Sequence, residues 1–113
     1  MNTRLLSLSK NENFKSLLNG NKISNKYLTI FFKSLSGKSN KYLNISFVAQ
    51  KKLGNAVKRN KIKRRLRNIM NDATKKIDLN LKYCYLLIAK ISVLNEPYEN
   101  IKQTLFSDFE KIK

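Results

Sequence analysis

Between Ile62 and Ile77 apolar residues recur at Ile62, Leu66, Ile69, Met70, Ala73 and Ile77. That is the spacing of one face of a 3.6-residue helix. Gly54-Asn55 punctuates the run just ahead, and Asn55 can cap a helix by accepting from an orphan backbone N–H. The pattern predicts a helix from Ala56 to Ile77. On its opposite side fall Asn60, Lys61, Arg64, Arg67, Asn68 and Asn71, with Lys63 and Arg65 at the boundary. One face is built to be buried and the other presents cations and amides.

The rest of the chain divides around this helix. Ser9-Lys10-Asn11-Glu12 has the form of a capping box, and Gly20 is expected as a left-handed stop. Between them a short helix carries Phe14, Leu17 and Leu18 on one side. Lys26 to Leu35 and Lys41 to Ala49 read as strands, and Ser36-Gly37-Lys38-Ser39-Asn40 between them predicts a hairpin turn. Tyr83 to Lys90 is nearly all apolar, as in a buried strand. Asn95-Glu96-Pro97 opens a final helix, whose stripe is Tyr98, Ile101, Leu105, Phe109 and Ile112. The expected order is α-β-β-α-β-α, an α+β fold in one domain over residues 1–113, one sheet with helices packed on it. No repeat, linker or low-complexity segment interrupts it.

Strand alternation adds a second pattern. Leu28, Ile30 and Phe32 share one face of the first long strand, leaving Tyr27, Thr29, Phe31 and Lys33 on the other. Leu43, Ile45 and Phe47 share a face of the second, leaving Tyr42, Asn44, Ser46 and Val48. A face where aromatics mix with polar groups, beside a basic helix, suits single-stranded nucleic acid, because bases stack on rings while cations track the backbone. The plainer alternative is that the amino-terminal helix covers this face and Phe14 packs on Phe31.

Charge sharpens the picture. The 113 residues include 24 Lys and Arg against 7 Asp and Glu, a formal net charge of +17. Nine of those cations (Lys51, Lys52, Lys58, Arg59, Lys61, Lys63, Arg64, Arg65 and Arg67) fall in one short segment, and no acid occurs between Glu12 and Asp72. A solvated helix face normally alternates Lys with Glu, because opposite charges a turn apart support the helix. A long run of one sign repels itself and calls for a polyanion, here nucleic acid. The hydrophobic share of 42% suffices for a folded core, so the chain is not a disordered basic tail.

Other chemistry finds little support. The lone Cys84 excludes an internal disulfide, and its apolar surroundings mark it as a small buried hydrophobe. With no His there is neither an obvious general base nor a zinc site, and the acids are scattered. Gly20, Gly37 and Gly54 lie too far apart for a phosphate-cradling loop. No apolar stretch approaches a membrane span, and residues 1–10 lack the apolar core of a signal peptide. Arg4, Ser7 and Ser9 give only a faint organelle-import look, and cytoplasm is the expected location. The chain is expected to bind rather than to catalyse.

The segment Lys51-Lys52-Leu53-Gly54-Asn55-Ala56-Val57-Lys58-Arg59-Asn60-Lys61-Ile62-Lys63-Arg64 resembles the signature of the bacterial ribonuclease P protein subunit, a Lys-x-Gly-Asn-Ala-Val run leading into Arg-Asn-Arg/Lys and Lys-Arg. Lys10 to Phe14, Tyr85 to Ala89 and Tyr98-Glu99 resemble the family's flanking elements, so the likeness spans nearly the whole chain. It implies a split β-α-β sheet with a left-handed crossover. It also implies a partner, a catalytic RNA that uses Mg2+, held mainly by that RNA, to cut the leader from precursor tRNA. Carried over, Arg59, Asn60, Lys61, Lys63, Arg64 and Arg67 would be the RNA-facing set, and Lys51, Lys52 and Arg65 of the same basic run are RNA-binding candidates beside them. Phe14, Phe31 and Lys52 would line a cleft for the single-stranded leader, with Ala89 on the same face. Neither a membrane nor DNA is expected as a partner.

The chain departs from the family pattern at Gln50, where Ser is frequent, at Asn68 for Glu, at Met70 for an aromatic, and at Leu18 for a second aromatic of the first helix. Ser7-Leu8 stands where Arg-Leu is common. Two other classes remain open: a basic ribosomal protein using a split β-α-β unit, and a DNA-binding module with the helix in a major groove. No helix-turn-helix pair flanks the basic helix.

Overall fold

A computed structural model describes residues 4–6, 18–34, 42–79 and 82–112. Most of the amino-terminal helix expected ahead of Gly20, and with it Phe14 and Leu17, lies outside the described residues, while Leu18 at its end is exposed. The turn around Gly37 also lies outside them.

Five strands form one sheet: β1 (Arg4–Leu6), β2 (Asn21–Ser24), β3 (Leu28–Ser34), β4 (Tyr42–Val48) and β5 (Tyr83–Ala89), in the spatial order β1-β4-β5-β3-β2. The expected hairpin of the two long strands is not what forms. β5 inserts between them, antiparallel to β3 with Phe31 opposite Leu86, and parallel to β4 with Ser46 opposite Leu86. The reason is burial. Tyr83–Ala89 is the most continuously apolar strand, and its buried residues Cys84 to Leu87 require a neighbour on each side and cover on both faces. β4 and β5 are therefore joined as a β-α-β unit through the basic helix, and the α+β class is as expected.

The helices are α1 (Ala56–Lys76), α2 (Ser92–Asn95) and α3 (Tyr98–Lys111). α1 buries Ile62, Leu66, Ile69, Met70 and Ala73, the stripe read from its periodicity. α3 buries Ile101, Leu105 and Phe109, and Ile112 just past its end is buried too. These side chains meet Leu28, Ile30, Ile45, Tyr85 and Leu87 in the main core. Tyr85 and Phe109 meet edge to face at 5.1 Å.

Two details depart from simple alternation. Tyr27 was expected on the outer face but is 2% exposed and belongs to the main core. The Asn25 side chain accepts from the backbone N–H groups of Tyr27 and Leu28 at 2.7 and 3.0 Å, an Asx turn that rotates Tyr27 inward before the strand begins. Gly20 was expected in the left-handed region. Among the described glycines only Gly54 has a positive φ, at 140°.

Candidate nucleic-acid interface

Three local features present the basic face of α1. A single 3-10 turn, Lys51–Leu53, brings the chain off β4, and Gly54 then takes a backbone conformation that L side chains rarely adopt. A Cβ there would lie 2.9 Å from Cδ of Lys58. Asn55 is the cap the sequence suggested: its Oδ1 accepts from the Lys58 backbone N–H at 3.0 Å. Third, the buried stripe fixes the helix's rotation about its axis. Asn60, Lys61, Arg64, Arg67, Asn68 and Asn71 are all exposed as a result, with Lys58 and the 76% exposed Val57 continuing the same surface toward the helix start.

Among the described residues the ion pairs are Lys26–Glu96, Lys102–Asp72 and Lys111–Asp108. None draws on a cation between Lys51 and Arg67. The positive face is thus not neutralised from within. Arg67 is steered by a neighbour, its guanidinium lying 5.8 Å from the centre of the Phe47 ring, close enough for a cation–π contact. Arg59 and Lys63 are half-buried at the edges of the stripe, and Arg59 Nε is enclosed with no hydrogen-bond partner among the described residues.

Arg65 is different. Its guanidinium donates from Nη1 to the carbonyls of Val93 and Leu94 at 2.9 and 3.0 Å, and from Nη2 to the carbonyl of Glu96 at 2.8 Å. Arg65 belongs to the basic run that supplies the RNA-binding candidates, but its guanidinium is turned inward. The spacing was the available signal: Arg65 directly precedes the buried Leu66, on the shoulder of the apolar stripe.

The second surface is the sheet face turned away from the main core. Here Phe31, Val48 and Ile88 pack on Cys84 and Leu86, and no described helix contributes a side chain to this cluster. Strand register places Thr29 beside Ile88 and Phe31 beside Leu86, so Phe31 does lie on the mixed face. Ala89 does not. Its side chain belongs to the main core, because Ala89 is one residue out of phase with Ile88. Asn44 is buried on the mixed face beside Cys84, its Nδ2 without a partner among the described residues. The Cys84 thiol donates to the Lys33 carbonyl at 3.5 Å, and burial pushes its pKa up, away from thiolate reactivity.

At the end of this face a groove of about 360 Å³ is lined by Thr29, Gln50, Lys52, Leu53, Ile88, Ala89, Lys90 and Ile91. Lys52 and Ala89 both line it, although the Ala89 side chain packs in the main core. Phe31 lies two residues farther along β3 on the same face as Thr29. Sequence patterning missed Gln50, Lys90 and Ile91, because the last two belong to a turn whose position only the central placement of β5 determines.

The family profile for ribonuclease P matches residues 3–113. The ribonuclease P protein component of Mycoplasma mycoides is 33% identical over 107 residues, covering 94% of both chains. That of Fusobacterium nucleatum is 36% identical over 106 residues, covering 93% of this chain and 87% of the relative. Among solved structures, the Staphylococcus aureus ribonuclease P protein superposes with a TM-score of 0.75 at 25% identity, over 94% of this chain and 93% of that one. The Thermotoga maritima ribonuclease P protein shares the fold, with a TM-score of 0.75 at 20% identity over 90% and 93% of the two chains. The chain belongs to the ribonuclease P protein family, the protein components of a ribonucleoprotein endoribonuclease that matures tRNA.

Proposed function

We propose that this chain binds the catalytic RNA of its ribonuclease P through the exposed face of α1, and holds the single-stranded leader of precursor tRNA along the mixed sheet face and its groove. The observation that carries the reading is the acid-free surface of Lys58, Asn60, Lys61, Arg64, Arg67, Asn68 and Asn71 on a helix whose other face is locked into the core. Cations and amides on a rigid rod suit phosphate and sugar contacts, which position an RNA without reading its sequence. Arg65 drops out of the contact set. The remaining cleft residues are Phe31 for stacking and Lys52 for the leader's backbone.

The chemistry belongs to the RNA. Among the described residues no three acidic or cysteine side chains come together to hold a metal, and the sequence contains no His. Asp72 is paired with Lys102, and Asp108 with Lys111 and Asn25. In this account the Mg2+ is held mainly by the RNA, whose phosphate oxygens are the hard ligands the ion prefers. The protein's part is to neutralise phosphate repulsion between two RNAs, work that otherwise falls to added cations.

The test is trimming of precursor tRNA by the catalytic RNA across a range of Mg2+ concentrations. Adding the protein is expected to shift the Mg2+ requirement downward and to leave the cleavage position unchanged. An unshifted requirement, with the protein folded and present in excess, contradicts the reading.

A further inference from the structure

Arg65 sits on the helix proposed to bind RNA, yet all three of its observed hydrogen bonds are internal. They reach the carbonyls of Val93, Leu94 and Glu96, at the end of the four-residue helix α2, where carbonyls lack intrahelical partners. A planar guanidinium suits this, because it presents several donors in a fixed fork. α2 in turn holds the groove wall: the Val93 N–H donates to the Lys90 carbonyl at 3.2 Å and the Leu94 N–H to the Ile91 carbonyl at 2.9 Å. Lys90 and Ile91 line one side of the groove, while Gln50, Lys52 and Leu53, which lead directly into α1, line the other. So the two walls are joined covalently to, or clamped onto, the same helix.

The wall is also braced from behind. The Lys90 N–H donates to the Tyr27 carbonyl at 2.8 Å, the Ser92 hydroxyl donates to the Lys26 carbonyl at 2.6 Å, and Lys26 pairs with Glu96 at 3.3 Å. Those contacts fix the wall to Lys26 and Tyr27, just ahead of β3, but not to α1. Of the described hydrogen bonds, the Arg65 fork is what ties α1 to the 93–96 segment.

We propose that Arg65 is a positioning residue that sets the groove against the RNA-facing helix, so that a leader held in the groove keeps a fixed offset from the catalytic RNA gripped by α1. The proposal rests on the reading of the groove as the leader site. Without the fork, both surfaces persist but their spacing relaxes, and the loss falls on substrates that need both at once.

The experiment uses reconstituted holoenzyme carrying Arg65→Met, which keeps an unbranched stem without donors, or Arg65→Lys, which keeps the charge without the fork. Three quantities are read: the ratio of precursor to mature tRNA affinity, the salt dependence of binding to the catalytic RNA, and the melting temperature of the protein. Both variants are expected to lower the precursor-to-mature ratio by about fivefold or more, a size usual for mutations that weaken coupling between sites. The salt slope stays at its wild-type value, because Arg65 touches no phosphate. An unchanged ratio in the folded variants overturns the proposal. So does a ratio restored by Arg65→Lys, which makes charge the cause, or loss of folding in both variants, which makes the clamp purely structural. If wild-type holoenzyme itself does not prefer precursor tRNA, the groove reading fails first, and the proposal with it.

Discussion

Phe31 is the residue on which the substrate side of the account turns. It is half-buried on the mixed face, packed against Cys84 and Leu86 but free of the main core. A ring there offers stacking to an unpaired base, worth about 1–3 kcal/mol per base. Phe31→Ala is expected to weaken precursor tRNA binding by that amount and to leave mature tRNA, which has no leader, nearly untouched. Its removal also loosens the small second cluster, so the melting temperature falls, less than for truncation of a main-core residue. The check is the affinity of reconstituted holoenzyme for both tRNA forms. Equal losses for precursor and mature tRNA contradict a leader contact. Alternation alone places Phe31 on this face, whereas Tyr27 breaks the same alternation because Asn25 turns the chain before the strand starts. A local hydrogen bond to a side chain is not visible in a period of two.

At the scale of elements, α1 was the most legible part of the molecule. Its cap, its buried stripe and its exposed stripe all follow from spacing, because a long amphipathic helix repeats one signal over several turns. Arg64→Ala and Arg67→Ala are expected to weaken binding to the catalytic RNA by about 1–3 kcal/mol each, the scale of a charge-assisted hydrogen bond. Arg64→Ala spares the fold, and Arg67→Ala costs at most the cation–π contact to Phe47, about 0.5–1 kcal/mol. Ile62→Asp and Leu66→Asp bury an unpaired charge and unfold the protein. Circular dichroism melts of the four variants check the division. Early melting of the arginine variants with stable aspartate variants contradicts the helix orientation.

The strand order was not legible. A Ser-Gly-Lys-Ser-Asn turn between two strands fits a hairpin as well as it fits strands that part to admit a third, and only the need to bury both faces of β5 decides. β1 and β2 are three and four residues long, with β2 largely exposed, too short to show alternation.

The α1–α3 contact adds a dependence on pH. Lys102 donates to Asp72 at 3.1 Å, and this hydrogen bond holds the Asp72 carboxyl below its ordinary value of 3.8. A carboxyl whose pKa is lowered by folding stabilises the native state fully above its unfolded value, and loses that contribution as pH falls through the folded value. The pair is partly exposed, so solvent screens it and its contribution is small. Asp72→Asn is expected to lower the melting temperature slightly at neutral pH, and the difference from wild type should vanish well below pH 3.8. A difference that persists in acid contradicts the ion pair as its source.

Across the whole molecule, charge is sorted. No acid occurs between Glu12 and Asp72, while six of the seven acids fall from Asp72 onward. Three of those six (Asp72, Glu96 and Asp108) are paired with lysines. The surface of α1 is left to its cations, and counterion release should dominate RNA binding. With ~6 phosphate contacts, the logarithm of the affinity for the catalytic RNA is expected to fall with the logarithm of salt concentration at a slope of about −4 to −5, roughly 0.7–0.9 per contact. The most direct measurement is that slope for wild type and for a triple Lys61→Ala, Arg64→Ala, Arg67→Ala variant, with folding confirmed for both. Loss of three contacts predicts a slope shallower by about 2 to 3. A wild-type slope near zero, or one that the triple variant leaves unchanged, contradicts the claim that this face of α1 holds the RNA.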